Sequence, residues 1–465
     1  MNVGARWILA ALIAFAPLPF GAVLGWTTSL LATCLGILLI VVAGHALATS
    51  RPLPHACGWI GLAAVVAALP GALQLLPLPR PLLKLLSPET ARFYETYTLR
   101  GASWRPLSEA PDATAASLLW LGACAAAACL VAMLCDRRDV RKILLVLVAL
   151  GATEAFYGIL EFLSGRNRIF LYEKQFYLDS ATGTYINRNH FAGLMVLLLP
   201  VGLGWLLARR APAPSGAGGI RERLLALAGA RTHKTLLLGL AVALMGAGLA
   251  LSFSRAGVVL GLLVMAGTVT LCRLAPGRPR FGRRWPGLSW AAALALLALL
   301  PLTIRGPGRL GTMMEDVPQE LAAGAGRTAV WASTLRIIAD HPLLGTGLGT
   351  FGVVFPRYRP LEIQSTYTHA HQDYLQWLAE TGAAGALAGL LLLGGLLMTA
   401  RRALRSPGEA TDRALAAGIC AALAGFALHG LVDFNGHIPA NLLVAWVLAG
   451  SLVVLARTQP AGAAG

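Results

Sequence analysis

Charge is what this sequence has least of. Only 13% of its 465 residues are Asp, Glu, Lys or Arg, against about 25% in an ordinary soluble chain, which excludes most soluble enzymes of this length. Acids are scarcer still: 21 against 38 Lys and Arg, giving a formal net charge of +17. No Asp-x-Asp pair occurs, so the carboxylate pair that a metal-dependent transferase would use to hold a nucleotide sugar is missing. The seven cysteines (Cys34, Cys57, Cys124, Cys129, Cys135, Cys272 and Cys420) lie in or beside apolar runs at no metal-ligand spacing and read as small core residues. Gly345-Thr-Gly-Leu-Gly349 resembles a nucleotide loop, but it lacks a Walker lysine and a strand-to-helix setting, and reads as tight turns.

The lack of charge does not imply disorder, because 57% of the chain is hydrophobic and a disordered chain is apolar-poor. Nor does the basic excess suit a nucleic-acid binder, whose Lys and Arg cluster on one soluble surface. Here they fall in short bursts between apolar runs about 20 residues long, the length needed to cross a hydrocarbon core of roughly 30 Å. Qualifying runs are 7–26, 28–47, 57–78, 113–135, 140–163, 189–208, 233–251, 256–274, 288–304, 381–400, 414–433 and 439–457. The expectation is an all-α polytopic membrane protein with about 12 transmembrane helices, in one membrane domain over 1–465. The first run has one basic residue, Arg6, and no clear cleavage site, so it reads as a helix and not as a signal peptide. Pro70 and Gly71 interrupt the third run, and 288–304 is barely long enough.

Orientation follows from the loops, since cytoplasmic loops are enriched in Lys and Arg. With the N-terminus inside and strict alternation, the inner loops hold 22 of the 38 basic residues and five of the 21 acids. The whole net charge then sits on the inner face, and both termini are expected to be cytoplasmic. Inner loops such as APAPSGAGGIRERL and APGRPRFGRRWPG are short connectors rich in Gly and Pro. The outer side has three substantial segments, 79–112, 164–188 and 305–380. The last holds Trp331, Tyr358, Tyr367 and Trp377, with amphipathic stretches near 327–340 and 370–380. An ordered loop of that length usually serves function.

Four outer elements could carry chemistry. Thr184-Tyr-Ile-Asn-Arg-Asn-His-Phe-Ala-Gly193 concentrates Asn187, Arg188, Asn189 and His190 at a helix start; the plain reading is an Asn cap with an Arg at the headgroups. Leu251-Ser-Phe-Ser-Arg-Ala-Gly257 places Arg255 at the membrane boundary in a turn without an acid. It can snorkel, but an arginine at membrane level without a local acid is by default a functional hypothesis. Gly326-Arg-Thr-Ala-Val-Trp331 starts an amphipathic helix with Arg327, and two outer guanidinium groups would suit a phosphate or diphosphate. The stretch from Tyr367 to Gly385 offers His369, His371, Asp373 and Glu380. His369 and Asp373, four apart, would share a helix face as metal ligands, without a further ligand cluster to support them. A general base needs only one histidine aimed at a hydroxyl, and the bland alternative is an interfacial helix with capping histidines.

Together these elements resemble the O-antigen ligase and polymerase family of bacterial envelope glycan assembly. The resemblance rests on Asn187-Arg-Asn-His-Phe-Ala192, Ser254-Arg-Ala-Gly257, Gly326-Arg-Thr-Ala-Val-Trp331, His341-Pro-Leu-Leu-Gly-Thr-Gly347, His371-Gln-Asp-Tyr-Leu-Gln-Trp-Leu-Ala-Glu-Thr-Gly382 and His429-Gly-Leu-Val-Asp-Phe434. These run in the family's order over roughly 185–435. The resemblance implies transfer of a glycan from undecaprenyl diphosphate to a sugar hydroxyl at the periplasmic face of the inner membrane, metal-independent and inverting, with no cofactor. It makes Arg255 and Arg327 the diphosphate-binding arginines, His371 the catalytic histidine, and the 305–380 loop periplasmic and part of the active site. Arg188 is a candidate third diphosphate contact, with Asp433, Asn189 and His369 in support. Gln372 stands where Asn is common, a mild departure. Implied partners are the lipid-linked glycan, a lipid A–core or glycan acceptor and membrane lipids, with no nucleic acid. Ligase, polymerase and protein O-oligosaccharyltransferase share these motifs. A secondary transporter is the reading from another class, with Glu154 and Glu161 inside the fifth run as its best support.

Overall fold

The computed structural model describes residues 2–50, 54–97, 103–209, 230–274, 326–361, 366–406 and 409–457. Its helices are α1 (Asn2–Phe15), α2 (Gly25–Ala48), α3 (His55–Gln74), α4 (Arg80–Leu86), α5 (Pro88–Tyr97), α6 (Pro111–Leu134), α7 (Arg137–Ser164), α8 (Arg188–Ala208), α9 (Ala230–Leu251), α10 (Arg255–Leu274), α11 (Arg327–Asp340), α12 (Phe351–Val354), α13 (Asp373–Arg405), α14 (Ala410–His429) and α15 (Pro439–Leu455). Two small antiparallel hairpins, β1 (Pro77–Pro79) with β2 (Trp104–Pro106) and β3 (Arg168–Ile169) with β4 (Tyr172–Glu173), sit in the connections.

Among the described residues nine helices are long and apolar enough to cross a membrane: α2, α3, α6, α7, α8, α9, α10, α13 and α14. Two shorter apolar helices, Val3–Phe15 and Pro439–Leu455, fall in the expected first and last runs. The run at 288–304, the connector over 275–287 and residues 305–325 of the long loop lie outside the described residues. The all-α polytopic expectation therefore holds. The first run is shorter than expected because α1 stops at Phe15, where Pro17 and Pro19 follow; proline cannot donate within a helix. Pro70 is carried inside α3 without ending it.

The helix α8 is the centre of the bundle, with every residue from His190 to Gly204 buried. It lies very close to α14. A Cβ on Gly204 would stand 2.6 Å from the Ala414 carbonyl oxygen, and one on Gly418 2.5 Å from that of Pro200. Small residues at a helix crossing let backbones approach where lipid gives no hydrophobic drive. The α6 helix does the same with an alanine run, Ala125 to Ala128, packed against α15.

The bundle has two chemically distinct ends. At one, Arg137 of α7 is buried against Asp412 of α14 (Nη1 to Oδ2, 3.2 Å) and donates to Ser406 Oγ at 2.8 Å. Arg141 pairs with Asp412 at 2.7 Å and Glu409 at 2.9 Å, Arg6 pairs with Asp139, and Arg457 donates to the Ala132 carbonyl at 2.6 Å. Asp136 and Asp139 form a reciprocal capping box at the start of α7. The residues assigned from sequence to one set of loops thus meet physically, near both the first and the last described helix. At the other end lies a cap made by α11, α12 and the start of α13, with its own core of Val330, Ile337, Phe351, Phe355, Ala370 and Ala379.

Removing one partner of a buried ion pair strands the other charge at roughly 3–5 kcal/mol. Asp412→Ala, which leaves Arg137 buried, should lower stability by that order, measured by denaturant unfolding in detergent. The double change Arg137→Met with Asp412→Leu should regain most of the loss.

Candidate active site

Among the helices that begin at the cap end are α8, α10, α11, α13 and α15. Three of them start on an arginine, Arg188, Arg255 and Arg327. A helix N-terminus carries partial positive charge and four unpaired N–H groups, so it favours anions and disfavours cations. Arginine in the first helical position three times over runs against that preference, and with the helix ends it concentrates positive potential.

The connection between α14 and α15, residues 430–438, is the hub. Asp433 is buried there, 2% exposed, and its Oδ1 accepts from the Phe434 backbone N–H at 2.9 Å. Its carboxylate faces two of the residues expected from sequence. His371 Nδ1 stands 3.8 Å from Oδ1, and Arg327 Nη2 stands 3.9 Å from Oδ2. Arg327 also donates to the Val432 carbonyl at 2.7 Å, which fixes the guanidinium over this connection. Burial would raise the Asp433 acid, but the nearby imidazole of His371 and the surrounding positive groups hold it well below the usual carboxylate range. The site therefore keeps a buried anion beside His371.

Three histidines surround the Phe434 ring. His369 stacks on it (centroids 4.3 Å apart, planes 15° apart), while His190 and His371 meet it edge-on at 4.7 and 4.8 Å. His371 is 24% exposed, yet its Nδ1 is buried without a hydrogen-bond partner. Exposure therefore falls on the rest of the ring. His369 is held by the Gln376 amide at 3.2–3.3 Å from Nδ1. Burial, with a smaller push from neighbouring His437, drives His369 down to about 3, so it stays neutral at physiological pH.

The metal alternative meets a geometric obstacle. His369 precedes α13, which begins at Asp373, so the two never share a helix face. Asp373 instead binds His437 Nδ1 at 2.7 Å. Among the described residues no three His, Cys, Asp or Glu side chains converge as a metal site would need.

The remaining candidates lie around this hub. Arg188 stacks over Tyr177 at 5.2 Å and reaches Ser180 Oγ at 3.5 Å, so it faces the 164–188 segment. Asn187, not Asn189, is the cap of α8, accepting from the Asn189 N–H at 2.8 Å; Asn189 is half-buried beside it. Arg255 is exposed at the start of α10, with no ion pair among the described residues. Its helix is tied to the hub through α8: a Cβ on Gly257 would lie 2.6 Å from Ala192, and one on Gly193 2.1 Å from Asn435.

Sequence reasoning missed several members. Phe434 stands in the sequence only as the end of a motif, and His437 lies in no motif. Asn441, inside α15, links Tyr185 OH (2.9 Å), the His190 carbonyl (2.9 Å) and Asn435 Oδ1 (2.9 Å). An uncharged amide within an apolar run was the available signal, since a buried amide must find partners. Glu380 is likewise not a surface acid: it is buried and receives the N–H groups of Gly349 (2.8 Å) and Phe351 (3.2 Å), organising the glycine turns at 345–349.

Residues 240–390 match the family model described as O-antigen ligase. The matched stretch contains Arg255, Arg327, His369 and His371, while Arg188 and Asp433 lie outside it. The expected resemblance is borne out over that stretch, and it supports a polysaccharide ligase or polymerase type of function. No curated protein matches the chain.

A histidine held neutral by the fold stabilises the fold only where its unfolded counterpart is also neutral. For His369 that contribution is complete above the ordinary value of 6.5 and is lost as pH falls from there towards about 3. His369→Gln should therefore flatten the acid limb of a plot of thermal midpoint against pH, between about pH 6.5 and pH 4, with little change at pH 8.

Proposed function

We propose that the chain transfers a glycan from undecaprenyl diphosphate to an acceptor hydroxyl, with His371 as the general base. The observation that carries this reading is His371 facing the buried Asp433 carboxylate while Arg327 lies against the same carboxylate. In this reading Asp433 holds the Nδ1–H side of the imidazole, leaving Nε2 to take the acceptor proton. The acceptor oxygen attacks the anomeric carbon, the carbon–oxygen bond to the diphosphate breaks, and the diphosphate leaves with the electron pair. A single displacement of this kind inverts the anomeric centre. Positioned base catalysis is typically worth about 10²–10⁴-fold.

The diphosphate gains charge as it leaves and needs fixed positive groups where water is scarce. Arg327 and Arg255, at the starts of α11 and α10, supply guanidinium forks and helix ends together. Arg188 contributes to the same field from the start of α8. In this reading the strongly ion-paired opposite end faces the cytoplasm, and the cap, the site and the 305–380 loop face the periplasm of an inner membrane.

The transport reading loses its support on specific contacts. Glu154 is bound by the Thr184 N–H and hydroxyl, each at 2.9 Å, and Glu161 pairs with Lys174 at 3.2 Å. Both acids hold down the 164–188 segment, which supports a structural role for them.

His371→Ala should abolish transfer, followed as release of undecaprenyl diphosphate in membranes, with insertion unchanged. Arg327→Ala and Arg255→Ala should each weaken transfer by at least roughly tenfold. Transfer should survive EDTA. Wild-type transfer by His371→Ala, or chelator inhibition reversed by Mg²⁺ or Mn²⁺, would overturn the reading.

A further inference from the structure

We propose that Asp373 and His437 form a positioning pair for His371, pinning the start of α13 to the same connection that carries Asp433. The inference rests on the glycan-transfer reading above.

His371 has a backbone φ of +54°, in the left-handed region that a side chain disfavours and that persists only where the surroundings over-determine it. The restraints can be followed from both sides. On the N-terminal side, Trp331 Nε1 of α11 donates to the Ala370 carbonyl at 2.9 Å, and the Ala370 N–H donates to Gln376 Oε1 at 3.0 Å. On the C-terminal side, Gln372 caps α13 by accepting from the Leu375 N–H. The bonds across to the α14–α15 connection then pass through Asp373. Its N–H donates to the Gly430 carbonyl at 2.8 Å and the Asp433 carbonyl at 3.2 Å. Its Oδ2 accepts from the Gly436 N–H at 2.8 Å, and its Oδ1 accepts from His437 Nδ1 at 2.7 Å.

One residue therefore joins the strand of chain bearing the base to the strand of chain bearing its carboxylate. Space is kept for it: a Cβ on Gly430 would meet Asp373 Oδ2 at 2.8 Å, and one on Gly436 would meet the same carboxyl at 3.1 Å. His437 is the side chain that fixes the rotation of that carboxyl. The charged and titratable groups facing His437 are Asp373, Glu380 from further along α13, and His369, whose ring centroid is 5.5 Å away. Burial disfavours its cation, but the Asp373 contact outweighs burial and raises it. The carboxylate also sits at the first position of α13, where a helix end favours an anion. If Asp373 swings, the 3.8 Å separation between His371 Nδ1 and Asp433 Oδ1 is no longer set. A misplacement of about 1 Å at a reacting group can cost on the order of a hundredfold.

The test uses the full chain in membrane vesicles, with undecaprenyl diphosphate carrying the glycan extracted from producing cells as donor. Asp373→Ala and His437→Ala should each lower kcat by about ten- to a hundredfold, with donor KM moving by less than roughly threefold because the arginines are untouched. His437→Asn places an amide N–H where Nδ1 stood and should stay within about fivefold of wild type. The double alanine variant should be no worse than the worse single one, since both remove one interaction. Wild-type kcat in His437→Ala would overturn the pairing, as would His437→Asn no better than His437→Ala, or losses that only track the amount of folded protein. Undiminished transfer by His371→Ala would sink the glycan-transfer reading itself, a result separable from all of these.

Discussion

A carboxylate taken out of water must be surrounded by donors or positive charge, or it protonates. Asp433 meets that requirement at the membrane edge of the bundle, and the site is arranged around how it does so. One N–H comes from its own neighbour Phe434, one guanidinium from the first residue of α11, and one imidazole from the turn before α13. None of these elements is adjacent to the others in sequence. The acid therefore acts as the meeting point that fixes a cap helix, the turn bearing His371 and a membrane hairpin relative to one another. Phe434 adds the apolar half of the same arrangement, giving three histidine rings a surface to pack on while their nitrogens are steered elsewhere.

The two ends of the bundle manage charge in opposite ways. At one, arginines are neutralised by nearby acids: Arg137 and Arg141 on Asp412, Arg6 on Asp139. At the other, arginines open helices whose own dipoles already point positive outward. The first arrangement is a stable closed network. The second sets arginines at helix starts, where the guanidinium and the helix end add their positive potential locally. The net charge of +17 thus says little about binding, because most of its carriers lie in the loops assigned to the paired end or its neighbours.

Much of this was legible in the sequence, and the reason is periodicity of length: apolar runs of about 20 residues specify membrane helices almost regardless of detail. Arg327 as the first residue of a helix over 327–340 and the glycine turns at 345–349 were also readable, because local chemistry decides them. What could not be read was which residues meet across the bundle. His369 and Asp373 looked like one helix face because spacing alone cannot say where a helix begins, and α13 begins only at Asp373. His437 carries no local signal, since its partner lies 64 residues earlier in the chain.

The same limit explains the two membrane glutamates. A carboxylate inside an apolar run is costly anywhere in lipid, and by default suggests a transport path. That inference assumes the acid faces a cavity. Here the 164–188 segment folds back over α7 and delivers Thr184 to Glu154 and Lys174 to Glu161. The acids become anchors for a loop that ends at Arg188 and the first turn of α8. Their cost in the membrane is thereby tied to the position of the site end of the central helix, where His190 meets Phe434. A polar group in a membrane helix is thus structural here, fixing the segment that leads into the central helix.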